Sequence, residues 1–501
     1  MNNLSKNFRS NTITIITPLV VALVFFCFVL LFFPFRDKLQ FDYDEGINLI
    51  TGFMIKNGYP LYSQVSSDQP ALLPYLIAAI MNIVGVNITA SRILILMFST
   101  LLVWSCAQIL QLLYGSIHSI LLLALIILLP FYMRLSVSIM QGLPALAMAT
   151  ISFLLLILWH LSNKSTWLIL SGLALAISIH IKLFTGFLAP IFIIGIFITQ
   201  FVHLQDHRFS INLFQPVIIW GLSFLVLSIA LALILIGPNN IMAIIRPHFT
   251  SRSVESLKEY HNTIQYHLNG ITSIIILGAI GVLISIINRN WWILYPTSWF
   301  IVAYLSLNYY SPVWYHQQLL VTVPLIILAA VAAGEGIRWL VQIPQTREFI
   351  NINSFLNFIA IISLIAVIIN SYPGFMNQIH FDIEFKRSSL EAPKHQMDIL
   401  WNMREFAEKT EWIVTDMPLY AVLLRKPVPP NLAFFTLKLL ATNELTEDEI
   451  INTVQVYKPE QVLITRFNLP NLENYLMQDY YIIQKKRGYH LYIRNDIYES
   501  N

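Results

Sequence analysis

Charged residues are scarce in this chain. Only 11% of its 501 residues are Asp, Glu, Lys or Arg and 56% are hydrophobic, whereas a typical soluble domain carries roughly 25% charged residues. So few charges cannot cover the surface of a soluble protein of this size. Soluble single-domain enzymes, disordered proteins and nucleic-acid-binding proteins are therefore excluded. The net charge of +3 is too small to indicate a polyanionic partner.

Acidic residues are missing from a long internal stretch, since no Asp or Glu occurs between Gln69 and Gln205. Of the 27 acids in the chain, 17 lie in residues 381–501. This distribution predicts a polytopic membrane protein with a soluble C-terminal part and an acidic cluster near its start. Half of the remaining acids form that cluster: Asp37, Asp42, Asp44, Glu45 and Asp68.

Cysteines and nucleotide-binding motifs are also few or absent. Cys27 and Cys106 both lie inside apolar runs, so a disulfide is not expected. The sequence has no phosphate-cradling Gly-x-x-x-x-Gly-Lys loop, no dinucleotide fingerprint, no Gly-x-Ser-x-Gly elbow and no CxxC pair. The chemistries that depend on these motifs have no support in the sequence.

Long hydrophobic runs are what the chain has instead. Twelve segments approach the roughly 20 apolar residues that a transmembrane helix requires. The first is too long for a signal peptide and has no small-residue cleavage site before the acidic cluster, which predicts an uncleaved anchor. The twelve segments are 12–34, 71–86, 90–113, 117–133, 139–160, 166–181, 183–202, 212–237, 270–288, 291–308, 316–333 and 354–371.

The positions of Lys and Arg between the hydrophobic runs predict the orientation of the chain. Lys6 and Arg9 place the N-terminus in the cytoplasm. Arg289, Arg338 and Arg347 fit cytoplasmic loops, which places the C-terminal part outside. These two ends require an odd number of crossings, so one of the twelve segments does not cross.

The segment 71–86 is the best candidate for the one that does not cross. It is short, with prolines at its start and asparagines at its end. We expect it to lie along the outer membrane surface as an interfacial helix. About eleven spans then remain, and a large outer loop runs from about residue 35 to residue 89.

The composition changes at about residue 381, where charges become dense and the pattern indicates alternating short elements. The predicted fold is a polytopic α-helical membrane protein, with about eleven spans in residues 1–380 and an extracytoplasmic α/β domain in residues 381–501. The elements predicted in that domain are a helix at 394–409, strands at 411–415 and 461–465, a capping box at Thr446–Glu449 and a hairpin at 479–494.

The acidic cluster of the first loop is the best candidate for a reaction site. Asp44 and Glu45 are adjacent carboxylates just outside a membrane span, where a lowered dielectric raises a carboxylate pKa toward the range of a general base. Asp42 and Asp68 lie in the same loop. The alternative interpretation is a solvated turn whose charges mark the outer flank of the first span.

Basic residues at predicted outer positions accompany these acids. Arg92, Arg134 and Lys182 stand near span ends, where an ionisable side chain either has a function or extends to the interface. Arg246 and His248 belong to an outer loop whose cations suit a phosphate group. A solvated loop is the alternative for that segment.

A few further residues leave other roles open. His248 with a first-loop carboxylate such as Asp68 leaves a divalent metal as an option, although the spacing matches no zinc motif. No other cofactor is predicted. Tyr315 belongs to a run of aromatic residues typical of the membrane interface, and His316 stands at the top of a span.

Three segments of the first loop resemble the corresponding loop of GT-C class glycosyltransferases, such as protein O-mannosyltransferases and lipid A aminoarabinose transferases. They are Asp44-Glu45-Gly46, Gly58-Tyr59-Pro60-Leu61-Tyr62 and Asp68-Gln69-Pro70-Ala71. The family pattern is an Asp-Glu pair, a Gly-x-x-Pro-Tyr turn, and an acid followed by Pro-Pro-Leu. Ala71 replaces one of those prolines here.

Later positions extend the resemblance over most of the chain. Arg92 and Lys182 match basic positions of the family, whereas Gln141 stands where an acid is usual. Trp314-Tyr315-His316 resembles a later signature, and Pro429-Pro430-Asn431-Leu432 resembles the soluble extension of some bacterial members.

The resemblance implies a fold with seven conserved spans and two surface helices in the first loop. It also implies transfer of a sugar from a polyprenyl-phosphate carrier to an acceptor on the extracytoplasmic side of the plasma membrane, with inversion. Asp44 is then the expected base, with Glu45 as the second catalytic carboxylate and Asp42 as a rival base. The expected substrate-binding residues are Asp42, Asp68, Gln69, Arg92, Arg134, Lys182, Arg246, His248, Tyr315 and His316.

Two other classes of function stay open at this point. A transporter or flippase for lipids or sugars would use the polar residues to line a pathway, although ionisable groups near the bilayer midplane and repeats are typical of transporters and neither is visible. A scaffold protein with a decayed site would fit the changes at Ala71 and Gln141. The acceptor could be a protein, a glycan, a lipid or a small molecule, and the sugar is not predicted.

Overall fold

The structure is a computed structural model that is almost entirely helical up to residue 387. It describes residues 12–36, 38–129, 131–203, 214–242, 244, 263–309, 313–342, 352–387, 392–486 and 489–500.

Each of the twelve predicted hydrophobic segments contains a helix. Short 3₁₀ or π segments extend four of them, at Leu183–Phe187, Ala232–Ile236, Trp291–Ile293 and Tyr315–Gln318. The helices of this part are α1 (Thr12–Phe32), α2 (Tyr43–Lys56), α3 (Leu72–Val84), α4 (Ile88–Leu113), α5 (Ser116–Ile127), α6 (Tyr132–Leu135), α7 (Gly142–Ser162), α8 (Ser165–Ile181), α9 (Leu188–His203), α10 (Gln215–Leu231), α11 (Ile264–Asn269), α12 (Thr272–Ile287), α13 (Leu294–Asn308), α14 (Leu319–Gln342) and α15 (Ile352–Arg387).

Seven helices in the described part of the chain are long and apolar enough to cross a membrane. Helix α14 is the central one, since nearly every side chain from Leu319 to Gly336 is buried against its neighbours. Helix α3 has 13 residues, which at 1.5 Å per residue is about 20 Å and shorter than a hydrocarbon core of roughly 30 Å. Helix α5 is shorter still, with 12 residues, so length does not single out α3 as the helix that does not cross. The total of eleven crossings stays a prediction.

The first loop folds into two helices, α2 and α3, that pack on each other. Asp42 caps α2, because its side chain accepts a hydrogen bond from the backbone N–H of Asp44. Asp44 and Glu45 lie in the first helical turn, where negative charge is stabilised by the helix dipole. The local sequence therefore fixes the acidic cluster at one defined helix end.

The C-terminal part contains a four-stranded sheet in the order β1-β2-β4-β3, where β1 and β2 are parallel and the other pairs antiparallel. The helix, capping box and hairpin predicted from the sequence are present, and strands occupy both predicted strand segments. The elements are α16 (Ala392–Glu405), β1 (Ile413–Thr415), α17 (Leu419–Leu424), α18 (Leu437–Ala441), α19 (Glu447–Tyr457), β2 (Gln461–Ile464), α20 (Pro470–Asp479), β3 (Tyr480–Lys486), β4 (Tyr489–Arg494) and α21 (Asn495–Glu499).

The sheet domain and the first loop share one apolar core. Leu49 and Phe53 of α2 belong to the same buried cluster as Leu419 and Tyr420 of α17. The backbones approach closely at Gly46, where a Cβ atom would lie 3.0 Å from the Leu419 nitrogen. The domain therefore sits directly over the helix that carries the acidic cluster.

Candidate active site

The start of helix α2 directs its three acids toward different partners. Asp42 Oδ1 accepts from the Asp44 N–H at 2.9 Å, and Asp42 Oδ2 accepts from the Tyr315 hydroxyl at 2.8 Å. Tyr315 lies 273 residues further along the chain. Asp42 therefore both caps the helix and binds it to the start of the α14 segment.

Asp44 is the carboxylate whose electrostatics are most unusual. Burial raises its pKa to about 7, the neighbouring Asp42 and Asp68 charges add to the rise, and Lys182 and Arg466 oppose it. The residue as a whole is only partly buried, which leaves it at the edge of the protein interior. A carboxyl group with a pKa near the ambient pH is suited to general-base catalysis.

Lys182 provides the cation opposite Asp44. It lies in extended backbone between α8 and the Leu183–Phe187 turn. Burial lowers the pKa of its ammonium group, and the nearby carboxylates of Asp44 and Asp68 counteract that effect. The Nζ atom lies 3.8 Å from the position of a Cβ atom on Gly142, so the ammonium group packs beside the start of α7.

Glu45 and Arg92 are bound to each other inside the protein. The Arg92 guanidinium forms two hydrogen bonds to the Glu45 carboxylate, at 3.1 and 2.9 Å, and each residue is only 1% exposed. Glu45 also accepts from the backbone N–H groups of Phe41 and Ile139. This geometry favours a positioning role for both, and their predicted direct contacts with substrate stay predictions.

Asp68 and Gln69 face the sheet domain. Asp68 Oδ2 lies 2.5 Å from Lys438 Nζ in α18, and Asp68 Oδ1 accepts from the Gln69 side-chain amide at 2.9 Å. Asp68 is buried, with only 3% of its surface exposed. The second motif of the first loop is thereby tied to a lysine 370 residues away.

Arg134 and His316 lie near the same end of the bundle. The Arg134 guanidinium carbon is 5.4 Å from the centre of the Tyr315 ring, and the ring of His316 contacts that of Tyr315. Nε of Arg134 is buried without a hydrogen-bond partner among the described residues. Tyr315 thus connects Asp42 to Arg134 and His316, two of the predicted substrate-binding residues.

The predicted roles of Arg246 and His248 fall outside the described residues. The metal site suggested for Asp68 and His248 is therefore not evaluated by the geometry. Among the residues that the structure describes, no group of three His, Cys, Asp or Glu side chains is placed to hold a metal ion.

Three residues of the site were not predicted from the sequence, namely Arg466, Tyr43 and Lys438. The Arg466 guanidinium lies 3.6 Å from the centre of the Tyr43 ring, and the Tyr43 hydroxyl donates to the backbone carbonyl of Phe435. Lys438 contacts Asp68, as described above. Tyr43 adjoins Asp44 in sequence, but nothing in the sequence pairs it with a residue more than 390 positions away.

Residues 68–236 match a protein-family model described as dolichyl-phosphate-mannose-protein mannosyltransferase. The matched segment is about a third of the chain and runs from the Asp68 motif to the end of the α10 segment. Comparison with curated protein sequences gave no match.

Solved structures show the same fold at low sequence identity. ArnT from Cupriavidus metallidurans in the apo state has a TM-score of 0.63 at 12% identity, with 95% of this chain and 97% of that chain covered. The same protein bound to undecaprenyl phosphate gives 0.60 at 13% identity over the same shares. AglB oligosaccharyltransferase from Archaeoglobus fulgidus, in complex with an inhibitory peptide and a dolichol-phosphate, gives 0.52 at 10%, covering 96% and 74%.

These similarities confirm two predictions from the sequence. The chain resembles GT-C glycosyltransferases, and its fold is an ArnT-like GT-C fold with a small C-terminal sheet.

Proposed function

We propose that the chain is an integral-membrane glycosyltransferase, which moves a sugar from a polyprenyl-phosphate carrier to an acceptor at the extracytoplasmic face of the plasma membrane. The observation that carries the proposal is the environment of Asp44. Its carboxyl group has a pKa of about 7 and interacts electrostatically with Lys182 in a chain with an ArnT-like fold.

The proposed reaction needs a base at one side of the anomeric carbon and cations at the other. The acceptor oxygen forms the new glycosidic bond while its proton passes to the Asp44 carboxylate. The bond between the anomeric carbon and the phosphate oxygen breaks, and the phosphate leaves with the electron pair. Direct attack opposite the leaving group inverts the anomeric configuration.

Lys182 and Arg134 are the described cations that can stabilise the leaving phosphate, and His316 can add a hydrogen bond from its ring. Positive groups placed where negative charge develops lower the transition state more than the ground state. Arg246 and His248 stay candidates from the sequence. ArnT binds undecaprenyl phosphate and AglB binds a dolichol-phosphate, which supports a lipid-phosphate carrier for this chain.

The sheet domain is proposed to help select the acceptor. Arg466 and Lys438 bring it within contact of Tyr43 and Asp68, so an acceptor that reaches Asp44 must pass residues of that domain. The identity of the sugar and of the acceptor is left to experiment.

The test uses membranes that contain the full chain and a radiolabelled polyprenyl-phosphate sugar. Asp44→Asn should nearly abolish transfer to endogenous acceptors while the protein still inserts and retains the carrier. The control is Asp479→Asn, since Asp479 is an exposed acid of the sheet domain and its loss should leave transfer unchanged.

Two results would overturn the proposal. Full turnover by the Asp44→Asn variant would remove Asp44 as the base and direct attention to Asp42 or Asp68. Movement of labelled lipid between leaflets without transfer would indicate a flippase.

A further inference from the structure

A pocket of about 390 Å³ lies between the first loop, the start of α4 and the sheet domain. Its described lining includes four cations and no Asp or Glu, and the cations are Arg36, Lys38, Arg92 and Arg425. The acidic residue Asp37 lies outside the described residues. We call this space the cationic pocket.

Arg92 forms a fixed wall of the cationic pocket. Besides binding Glu45, its guanidinium donates to the backbone carbonyl oxygens of Phe35, Lys38 and Leu39. These bonds hold the segment that carries Arg36 and Lys38 in one conformation. The pocket is therefore pre-organised by the same arginine that separates it from helix α2.

Arg36 and Arg425 have charge available for a ligand. Both are exposed, and neither forms an ion pair with a carboxylate in the described part of the chain. Two uncompensated guanidinium groups lining one small space repel each other, and an anion between them removes that repulsion. Arginine binds phosphate with two parallel hydrogen bonds, which makes a phosphate group the best-fitting anion.

The backbone at Arg425 suits glycine. Arg425 follows α17 in the left-handed conformation, with φ of 56°, a position where glycine or asparagine is usual. Glycine can therefore replace Arg425 without backbone strain.

The predicted topology places the cationic pocket near the membrane surface. Helix α1 ends at Phe32 shortly before Arg36, and α4 begins with Ile88 in the pocket wall. Beside it, at the end of α3, Ile83 is 82% exposed and Val84 54% exposed. Lipid chains can cover these apolar side chains while a head group occupies the pocket.

We propose that the cationic pocket binds the phosphate-bearing head group of an anionic membrane lipid, at a site separate from Asp44. The apolar lining residues Leu39, Val86 and Leu423 favour a lipid over free phosphate, since they can contact the glycerol and the first methylene groups. The proposal does not depend on sugar transfer.

The test measures lipid retention by native mass spectrometry. The purified chain is reconstituted in nanodiscs of phosphatidylcholine with or without phosphatidylglycerol, then released into detergent. The wild type should retain one phosphatidylglycerol in preference to phosphatidylcholine. Arg36→Gln combined with Arg425→Gln should weaken this retention about tenfold or more, because each lost charged hydrogen bond is worth roughly 1.5–3 kcal/mol.

Two further variants separate binding from folding. Arg425→Gly removes the guanidinium and relieves the left-handed backbone, so it should lose part of the retention without any loss of thermal stability. Lys164→Gln combined with Arg289→Gln removes two exposed cations at the other end of the bundle and should retain the lipid within about twofold.

A separate arm titrates inorganic phosphate into phosphatidylcholine nanodiscs and follows the melting temperature. Stabilisation by phosphate alone, abolished in the Arg36→Gln and Arg425→Gln double variant, would overturn the lipid assignment in favour of a soluble phosphate compound. Equal retention of both lipids, or equal retention by the double variant and the wild type, would also overturn it.

Discussion

The proposed base gives the sharpest prediction, because Asp44 should titrate within an accessible pH range. Burial, with a further contribution from the Asp42 charge, raises its pKa to about 7. A base is active only when ionised, so transfer should fall as pH falls through that value. The ionised fraction is about 10% at pH 6 and about 90% at pH 8, which gives a rate ratio of roughly tenfold.

The informative perturbation is Asp42→Asn. It removes the largest charge that raises the pKa of Asp44, so the acid limb should move to lower pH and the rate ratio between pH 6 and pH 8 should fall. Asparagine caps helices about as well as aspartate, so α2 keeps its start. The Tyr315 hydroxyl, which donates to Asp42 now, can accept from the new amide instead.

Single-turnover transfer of labelled sugar at constant ionic strength, from pH 5.5 to 8.5, measures this effect. Asp479→Asn serves as the matched control and should keep the wild-type profile. A flat wild-type profile, or an acid limb that stays in place in Asp42→Asn, would refute the reasoning about Asp44.

Three other predictions follow from single contacts. Arg92→Met should destabilise the fold by about 3–5 kcal/mol, since it leaves the Glu45 carboxylate buried and unpaired. Adding Glu45→Gln to the same chain should recover part of the lost melting temperature. No recovery would contradict the pairing of Arg92 with Glu45. Lys438→Met should lower kcat/KM for transfer more than Lys438→Arg, which keeps the positive charge near Asp68. Equal effects of the two variants would show that the charge of Lys438 does not contribute to transfer. Asn82→Cys, in a chain with both native cysteines changed to serine, should react with an impermeant thiol reagent from outside, and labelling only from the cytoplasm would contradict the topology.

Much of the fold could be predicted because hydrophobic length and charge position are local properties of the sequence. Every predicted apolar segment contains a helix, and the capping box at Thr446 formed because its two partners are three residues apart. Irregular segments extend the α-helices at Leu183–Phe187 and Ala232–Ile236, inside the predicted bounds. Those extensions depend on tertiary packing and have no distinct local pattern.

The separate roles of Asp44 and Glu45 could not be predicted from their adjacency. Consecutive residues of a helix point about 100° apart, so a motif that reads as one pair directs its carboxylates to different environments. Asp44 interacts with the charge of Lys182, whereas Glu45 is hydrogen-bonded to Arg92. Only the packing of α4 against the first loop decides which of the two is buried.

The contributions of Lys438 and Arg466 could not be predicted for a different reason. Each contacts a first-loop residue more than 360 positions away, and a single sequence carries no signal for such pairs. The shared apolar core of α2 and α17 brings these cations to the site. The sheet domain therefore contributes to the electrostatic environment of the proposed base. Its different composition gave no indication of this in the sequence.

Charge balance connects these features to the proposed mechanism. Asp44 gives up its negative charge when it takes the acceptor proton, and the departing phosphate gains one, so the reaction moves charge across the site without changing its total. Lys182 attracts the Asp44 carboxylate before transfer. This attraction weakens as the proton arrives on Asp44, and the ammonium can then act on the phosphate. A fixed cation between the base and the leaving group stabilises the transition state more than the ground state when the cation lies nearer to the phosphate than to Asp44. The proposed mechanism thus requires the carrier phosphate to approach Lys182 from the side away from α2.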